Sequence, residues 1–244
     1  MPNAVEPLVA ESSHFALRIA RARPEDTDAV AATLGAARAT GVDLLICRIP
    51  TNALSIAQAI EAQGGRLCDT LVVLERSYSA APSTVGTKET SVRAAREDDA
   101  AALVRIAQSA FRDYLGHWHA DPRIPRTRAD DFYAAWMRDI CQQLTGGAHR
   151  VFVLDSAGGP AAFAAYRACA AETFDIALGG VEPQHRGRGL YRDLIAGTDA
   201  LLFESDQLRR TQYSTQINNH PAIRVVSGLG YHLTRSEYTF HVWL

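Results

Sequence analysis

The 244-residue sequence has few cysteines, no long apolar run and little net charge. Its four cysteines, Cys47, Cys68, Cys141 and Cys169, are scattered without C-x-x-C spacing. That argues against a disulfide framework or a zinc site and for buried free thiols in a reducing cytoplasm. No stretch approaches the length of a membrane span. The opening MPNAVEPLVAESSH has neither a basic start nor an apolar run, so no signal peptide is expected there. The formal net charge of −2 gives no general basic field for nucleic acid. Two familiar phosphate turns are also missing: neither G-x-G-x-x-G nor G-x-x-x-x-G-K-[ST] occurs.

What is present centres on Thr173 to Phe203. TFDIALGGV alternates, with Phe174, Ile176 and Leu178 on one face of an expected strand. LYRDLIAGTDALLF has helical spacing, with Leu190, Leu194, Leu201 and Leu202 on or near one face. Between them lies Gln184-His185-Arg186-Gly187-Arg188-Gly189. A glycine-rich turn from a strand into a helix aims backbone N–H groups and the positive end of the helix dipole at one point, which suits a phosphate. Arg186 and Arg188 add full charges beside it. Read blandly, the same residues are a surface turn with two solvated arginines.

The hydrophobic fraction of 47% is enough for a substantial core. The order expected in the first half is β-α-β-α-β: a strand over Ser13–Ala20, a helix opened by Pro24-Glu25-Asp26, strand Asp43–Ile49, helix Thr51–Gln63 and strand Leu67–Arg76. Ser77–Thr90 lacks periodicity and reads as a linker. A strand, a turn and a helix then lead to Phe111. Asp113–Arg128 is expected to be a loop, and Ala129–Leu144 a helix. Strands Arg150–Asp155 and Ala161–Cys169 form a hairpin, followed by the organising stretch and strand Arg210–Ile217. Asn219 is placed to cap a helix beginning at Pro221 and ending at Gly230, and Tyr238–Trp243 is the last strand. A helix–glycine–strand echo links the segments near residues 70 and 236, which suggests that the first half is a degenerate partial copy of the second.

The Q-x-x-G-x-G spacing after V-x-P, with its flanking strand and helix, resembles the acetyl-CoA loop of the GNAT superfamily of N-acetyltransferases. The resemblance covers about Val92 to Leu244. It implies an α/β (α+β) GNAT fold, a mixed twisted sheet flanked by helices. A partial GNAT-like domain would precede it (residues 1–76), then a linker (77–90) and the acetyltransferase domain (91–244). The two-part layout, with QGGRLCDTLVVLE, HADPRIP and STQINNHPAIRVV, looks like the amino-sugar acetyltransferases of the dTDP-fucosamine type.

By that resemblance the cofactor is acetyl-CoA, with no metal, and the acceptor is a small amine, an amino sugar on a nucleotide carrier before others. A peptide, an aminoglycoside, an amino-acid derivative, or no reaction at all in an acetyl-CoA-binding module, are the alternatives. A homodimer is expected only by analogy. The cofactor residues implied are Leu178, Gly179, Val181, Gln184, Arg186, Gly187, Arg188, Gly189, Leu190 and Asn219, with two strands splaying near Gly179 and Thr215. The family's acid tyrosine, seven residues after the asparagine, is Val226 here, leaving Tyr238, Ser227 or water to protonate the thiolate. Candidate bases are Asp175, Glu172, His117 and His119. The loop residues Tyr114, Trp118, His119 and Arg123, with Arg126, are candidate acceptor contacts, or else core caps and solvated arginines. His117 and His119 also have a two-residue metal spacing, but no third ligand is evident in the sequence.

Overall fold

The computed structural model describes residues 5–82, 91–112, 114–144, 146–206 and 208–244. In chain order the elements are β1 (Glu6–Pro7), α1 (Val9–Phe15), β2 (Ile19–Ala22), α2 (Thr27–Ala39), β3 (Leu44–Pro50), α3 (Leu54–Ala62), β4 (Arg66–Ser77) and β5 (Ser91–Ala94). There follow α4 (Ala100–Ala110), α5 (His117–Ala120), α6 (Arg126–Cys141), β6 (His149–Ser156), β7 (Gly159–Ala170), β8 (Thr173–Val181), α7 (Leu190–Ser205), β9 (Arg210–Gln216), α8 (His220–Gly228) and β10 (His232–Trp243). The chain groups into two units: residues 1–72, 115–129 and 235–244, and residues 73–114 and 130–234. Segments 115–129 and 235–244, which the sequence places after the linker, thus group with the N-terminal residues.

In the first unit the strand order is β1-β2-β3-β10-β4, with β2 parallel to β3 and β10 antiparallel to it. Leu45, Cys47 and Ile49 of β3 and Phe240 and Val242 of β10 pack on Val30, Leu34 and Ala37 of α2 and Ile56 and Ile60 of α3. Asp26 caps α2 by accepting from the Ala29 N–H at 2.7 Å. The expected strand over Ser13–Ala20 is instead the end of α1 and the start of β2. Phe15 is buried at the end of that helix, and the Ser12 hydroxyl accepts from Ile19 N at 2.9 Å, folding the chain back on itself.

In the second unit the order is β4-β9-β8-β7-β6-β5. Leu103, Ile106, Tyr133, Met137 and Ile140 of α4 and α6 pack on Val151, Val153, Phe163, Ala165 and Leu178. Helix α7 buries Leu194, Ile195, Thr198, Asp199 and Leu202, and Tyr166 of β7 donates to Asp199 at 3.2 Å. The linker expected from Ser77 starts later. Ser77 ends β4, and Tyr78 is buried, with its hydroxyl donating to Asp199 at 2.6 Å. Residues 83–90 of that linker, and Asp113 of the expected loop, lie outside the described residues. The remaining loop holds one short helix, α5, and the first residues of α6.

Candidate functional site

The opening begins with one extra residue. Strand β8 pairs antiparallel with β7, and the register jumps between Tyr166↔Ile176 and Ala165↔Leu178, so Ala177 bulges out of that ladder. Parallel pairing of β8 with β9 runs from Thr173↔Arg210 to Ile176↔Tyr213 and stops there. A bulge bends its strand and raises the local twist, which carries β8 off its neighbour. Strand β8 stays paired to β7 as far as Val181↔Ala162. Among the described residues, 177–181 therefore present to the β9 side an edge without a strand partner. The expected parting of two strands is found, starting at Ala177.

Two phenols lie at this opening. Tyr191, in the first turn of α7, donates to the Tyr213 hydroxyl at 3.1 Å. A Cβ on Gly179 would stand 2.9 Å from the Tyr191 oxygen, so only glycine fits there without a shift. Burial raises the Tyr191 phenol to about 12 and the Tyr213 phenol well above its ordinary value. On the β9 side Asn219 donates from Nδ2 to the Thr215 hydroxyl at 2.9 Å. Asn219 occupies the N-cap position of α8 but makes no side-chain cap bond.

The turn after β8 uses its first N–H groups internally: His185 bonds Glu182 O and Arg186 bonds Pro183 O. Gly187 and Gly189 then have φ of +74° and +80°, and a Cβ at either would stand in open space. The first N–H groups of α7 have no acceptor within their own helix, and the first of its bonds back to the turn is Asp193 N to Gly189 O at 3.1 Å. Donors and dipole are thus directed at an open spot in front of the glycines.

The side chains of the turn are less free than the sequence suggested. The Arg186 guanidinium donates to Ala110 O at 3.0 Å and Val181 O at 3.4 Å, so it ties the turn to the end of α4. Gln184 donates to Glu182 at 3.0 Å. Arg188 is exposed, with one nitrogen 3.3 Å from His185 Nδ1. Leu178 and Leu190 are buried, so any ligand contact they make is through the backbone.

The catalytic candidates are dispersed. Asp175 lies on β8 before the bulge and pairs with Arg167 at 3.5 Å, and Glu172 is exposed in the turn before that strand. Ser227 is exposed, and Val226 is fully buried. His117, Trp118, His119, Arg123 and Tyr238 belong to the first unit, whereas the glycine turn belongs to the second. Tyr238 is half-buried and packs against the α2–α3 core. Trp118 is 2% exposed against Phe15 at 4.4 Å, a core residue as the bland reading had it. Tyr114 packs by its edge on Phe111 and Tyr133. Arg123 lies over the Trp243 ring at 5.5 Å, and His119 is half-buried.

His117 is not the exposed loop histidine the sequence suggested. It is buried, and its Nδ1 is 2.8 Å from His241 Nε2. His241 Nδ1 is 2.9 Å from Asp121 Oδ2, which also accepts from Trp243 Nε1 at 2.8 Å. Burial pushes the Asp121 carboxyl up, but hydrogen bonds from His241, Trp243 and the Arg123 N–H outweigh it and hold the group below the ordinary carboxylate range. His241 therefore donates from Nδ1 to Asp121. Burial, then the charges of His241, Arg48 and His119, keeps His117 neutral. Cys68, Asp121 and His241 bring ligand-type atoms within 4.8 Å of one another, but protein hydrogen bonds already join Asp121 to His241. Sequence reading missed this relay because Asp121 and His241 are 120 positions apart. All four cysteines are free, but only Cys47 is fully buried and Cys169 is exposed.

No family model matches the sequence, and no curated protein matches it. Solved structures do match the fold. A GCN5-related N-acetyltransferase from Kribbella flavida aligns with TM-score 0.63 and 16% identity over 91% of this chain and 80% of that one. One from Sphaerobacter thermophilus gives TM-score 0.61 and 14% identity over 82% of this chain, which spans only 59% of that protein. A tandem GNAT protein from the clavulanic acid biosynthesis pathway gives TM-score 0.59 and 14% identity over 92% and 75%. The chain has the fold of the GCN5-related N-acetyltransferases, a mixed sheet flanked by helices. Among the described residues no helix is long and apolar enough to cross a membrane.

Proposed function

We propose that the protein is an acetyl-CoA-dependent N-acetyltransferase acting on the primary amine of a small acceptor. The observation that carries this reading is the unpartnered edge of β8 over 177–181 running directly into the Gly187–Gly189 turn. The pantetheine arm contains two amides, which an open strand edge receives as a further strand. The diphosphate beyond it meets the N–H groups at the start of α7. Gly187, Arg188, Gly189 and the backbone of Leu190 form the phosphate end, and Gly179 and Val181 the strand end. Arg186 holds the turn in shape.

In the reaction the neutral amine attacks the thioester carbonyl. A C–N bond forms, the C–S bond breaks, and the amine proton passes by way of a base or water to the thiolate. Val226 supplies no proton, and a CoA thiol leaves readily enough as thiolate for water to serve.

The test measures CoA release with acetyl-CoA and a panel of amines that includes a dTDP-linked amino sugar, the acceptor suggested by the layout of the sequence. Release with that sugar supports the amino-sugar reading. Release only with free amines replaces it with another acceptor. Saturable CoA binding without release for any amine leaves a binding module, and absence of binding contradicts the proposal altogether.

A further inference from the structure

A network of hydroxyls lines the β9 side of the gap beside β8. Tyr213 is the last β9 residue paired to β8, and Thr215 lies two positions further along the same face of β9. Tyr191 donates to the Tyr213 hydroxyl at 3.1 Å, Thr215 also bonds that hydroxyl, and Asn219 donates to Thr215 at 2.9 Å. The network reaches the open edge, because a Cβ on Gly179 would meet the Tyr191 oxygen at 2.9 Å. Ala177, Gly179 and Val181 of that edge keep partial exposure, as do Tyr191 and Asn219, so solvent enters the gap.

This network carries one hydroxyl proton more than its own bonds use. The Tyr191 proton goes to Tyr213, and Asn219 supplies the proton of its own bond to Thr215. Tyr213 and Thr215 each bring one more, and the bond between them uses only one of the two. Whichever way that bond runs, one hydroxyl of the pair has a proton left to donate, and among the described residues no acceptor takes it. Burial and then Tyr191 hold the Tyr213 phenol well above its ordinary value, so the pair donates a hydrogen bond without surrendering the proton. Tyr213 and Thr215 are themselves buried, and a bond made there is shielded from water.

On the course given above, the pantetheine arm runs from the glycine turn along residues 181 to 177, and its sulfur end comes to where the strands rejoin at Ile176 and Tyr213. We propose that the Tyr213–Thr215 hydroxyl pair is a hydrogen-bond donor site for the CoA sulfur, which stabilises the thiolate as the C–S bond breaks. The electron pair of that bond stays on sulfur, which accepts the hydrogen bond. The acceptor nitrogen loses its proton to water, and water returns one to the sulfur once CoA is released. A thioester sulfur is a weak acceptor and a thiolate a strong one, so the interaction strengthens only as the bond breaks. The pair thus offers the leaving group a donor that Val226 cannot. This inference deepens the acetyl-CoA reading and rests on it.

The test follows the labelled carbon next to sulfur in CoA bound to the full chain, by carbon NMR, as the pH is raised. The bound thiol is expected to ionise at a lower pH than free CoA. In the double variant Tyr213→Phe, Thr215→Val its ionisation should move up by about one pH unit, a tenfold change, as loss of one hydrogen bond to a charged group implies. With any amine that is acetylated, kcat should fall about tenfold in that variant while KM for acetyl-CoA holds. If the double variant does not fold, the two single variants are read in its place. A bound thiol that ionises as in free CoA, or equally in native and variant chains, overturns this proposal while CoA binding, and with it the acetyl-CoA reading, stands. Failure of the native chain to bind CoA overturns both.

Discussion

Ile176 and Tyr213 form the last pair between two parallel strands, and the next residue of β8, Ala177, pairs with neither neighbour. The gap that opens there leads to Gly187 and Gly189. Both the open edge and the left-handed glycines are backbone features, so the strongest part of the functional reading does not depend on any catalytic side chain.

Gly187→Val and Gly189→Val should each weaken CoA binding about tenfold or more. A side chain in the left-handed region costs roughly 1–2 kcal/mol, and its Cβ would occupy the open space in front of the turn. Isothermal titration with CoA checks this, with the melting temperature as the control for folding. Unchanged affinity in both variants would mean that the diphosphate sits elsewhere.

Gly179→Ala should destabilise the second unit by about 1–3 kcal/mol, the usual range for an overpacked site. The new Cβ would stand 2.9 Å from the Tyr191 oxygen. Tyr191→Phe removes that oxygen, so in the Gly179→Ala background it should recover part of the loss. Denaturant melts of the four proteins of this cycle give the coupling directly. Strict additivity would show that the two residues do not meet.

Asp199 makes stability fall as pH rises. Burial lifts its carboxyl to about 6 in spite of hydrogen bonds from Tyr78 and Tyr231, the Arg76 charge and the Tyr166 hydrogen bond. A raised folded-state value favours the protonated form. Its contribution is therefore fully present below about pH 4 and lost through pH 6, amounting to about 3 kcal/mol for a shift of about two units. Asp199→Asn should remove this slope, read from urea midpoints between pH 4 and 7. A slope unchanged in the variant would place its source elsewhere.

His117 acts in the opposite direction. Its folded-state value is held well below the ordinary one near 6.5, so neutral His117 contributes stability above pH 6.5 that is lost as pH falls. The two effects offset each other in the native chain. In Asp199→Asn the acid side of the profile should fall more steeply, and adding His117→Gln should flatten it. A histidine ring spectrum showing His117 titrating near 6.5 would contradict the buried relay.

The strands, helices and glycine turn of the second unit were legible because each is a local pattern. β8 alternates, α7 has helical spacing, and the turn chemistry lies in six consecutive residues. The echo between the two halves also has a structural counterpart: Gly64 and Gly230, with φ of +84° and +88°, each follow a helix and precede a strand. The bulge was not legible, since nothing marks Ala177 as unpaired until β7 and β9 take their registers. Arg186 could not be recognised as a tether, because its acceptor on Ala110 is 76 residues away. The 115–129 segment was misread for a related reason. Its polar residues suggested an exposed loop, yet His117 and Asp121 are buried by pairing with His241, which only the folded sheet supplies.

The central claim is that 177–181 of β8 takes the pantetheine arm as a neighbouring strand, and amide hydrogen exchange tests it most directly. Adding acetyl-CoA should slow exchange across 177–181 and at Gly187 to Leu190, while the β8 amides before Ala177, already paired on both sides, stay as they were. Unaltered exchange in both stretches at saturating acetyl-CoA would contradict the account.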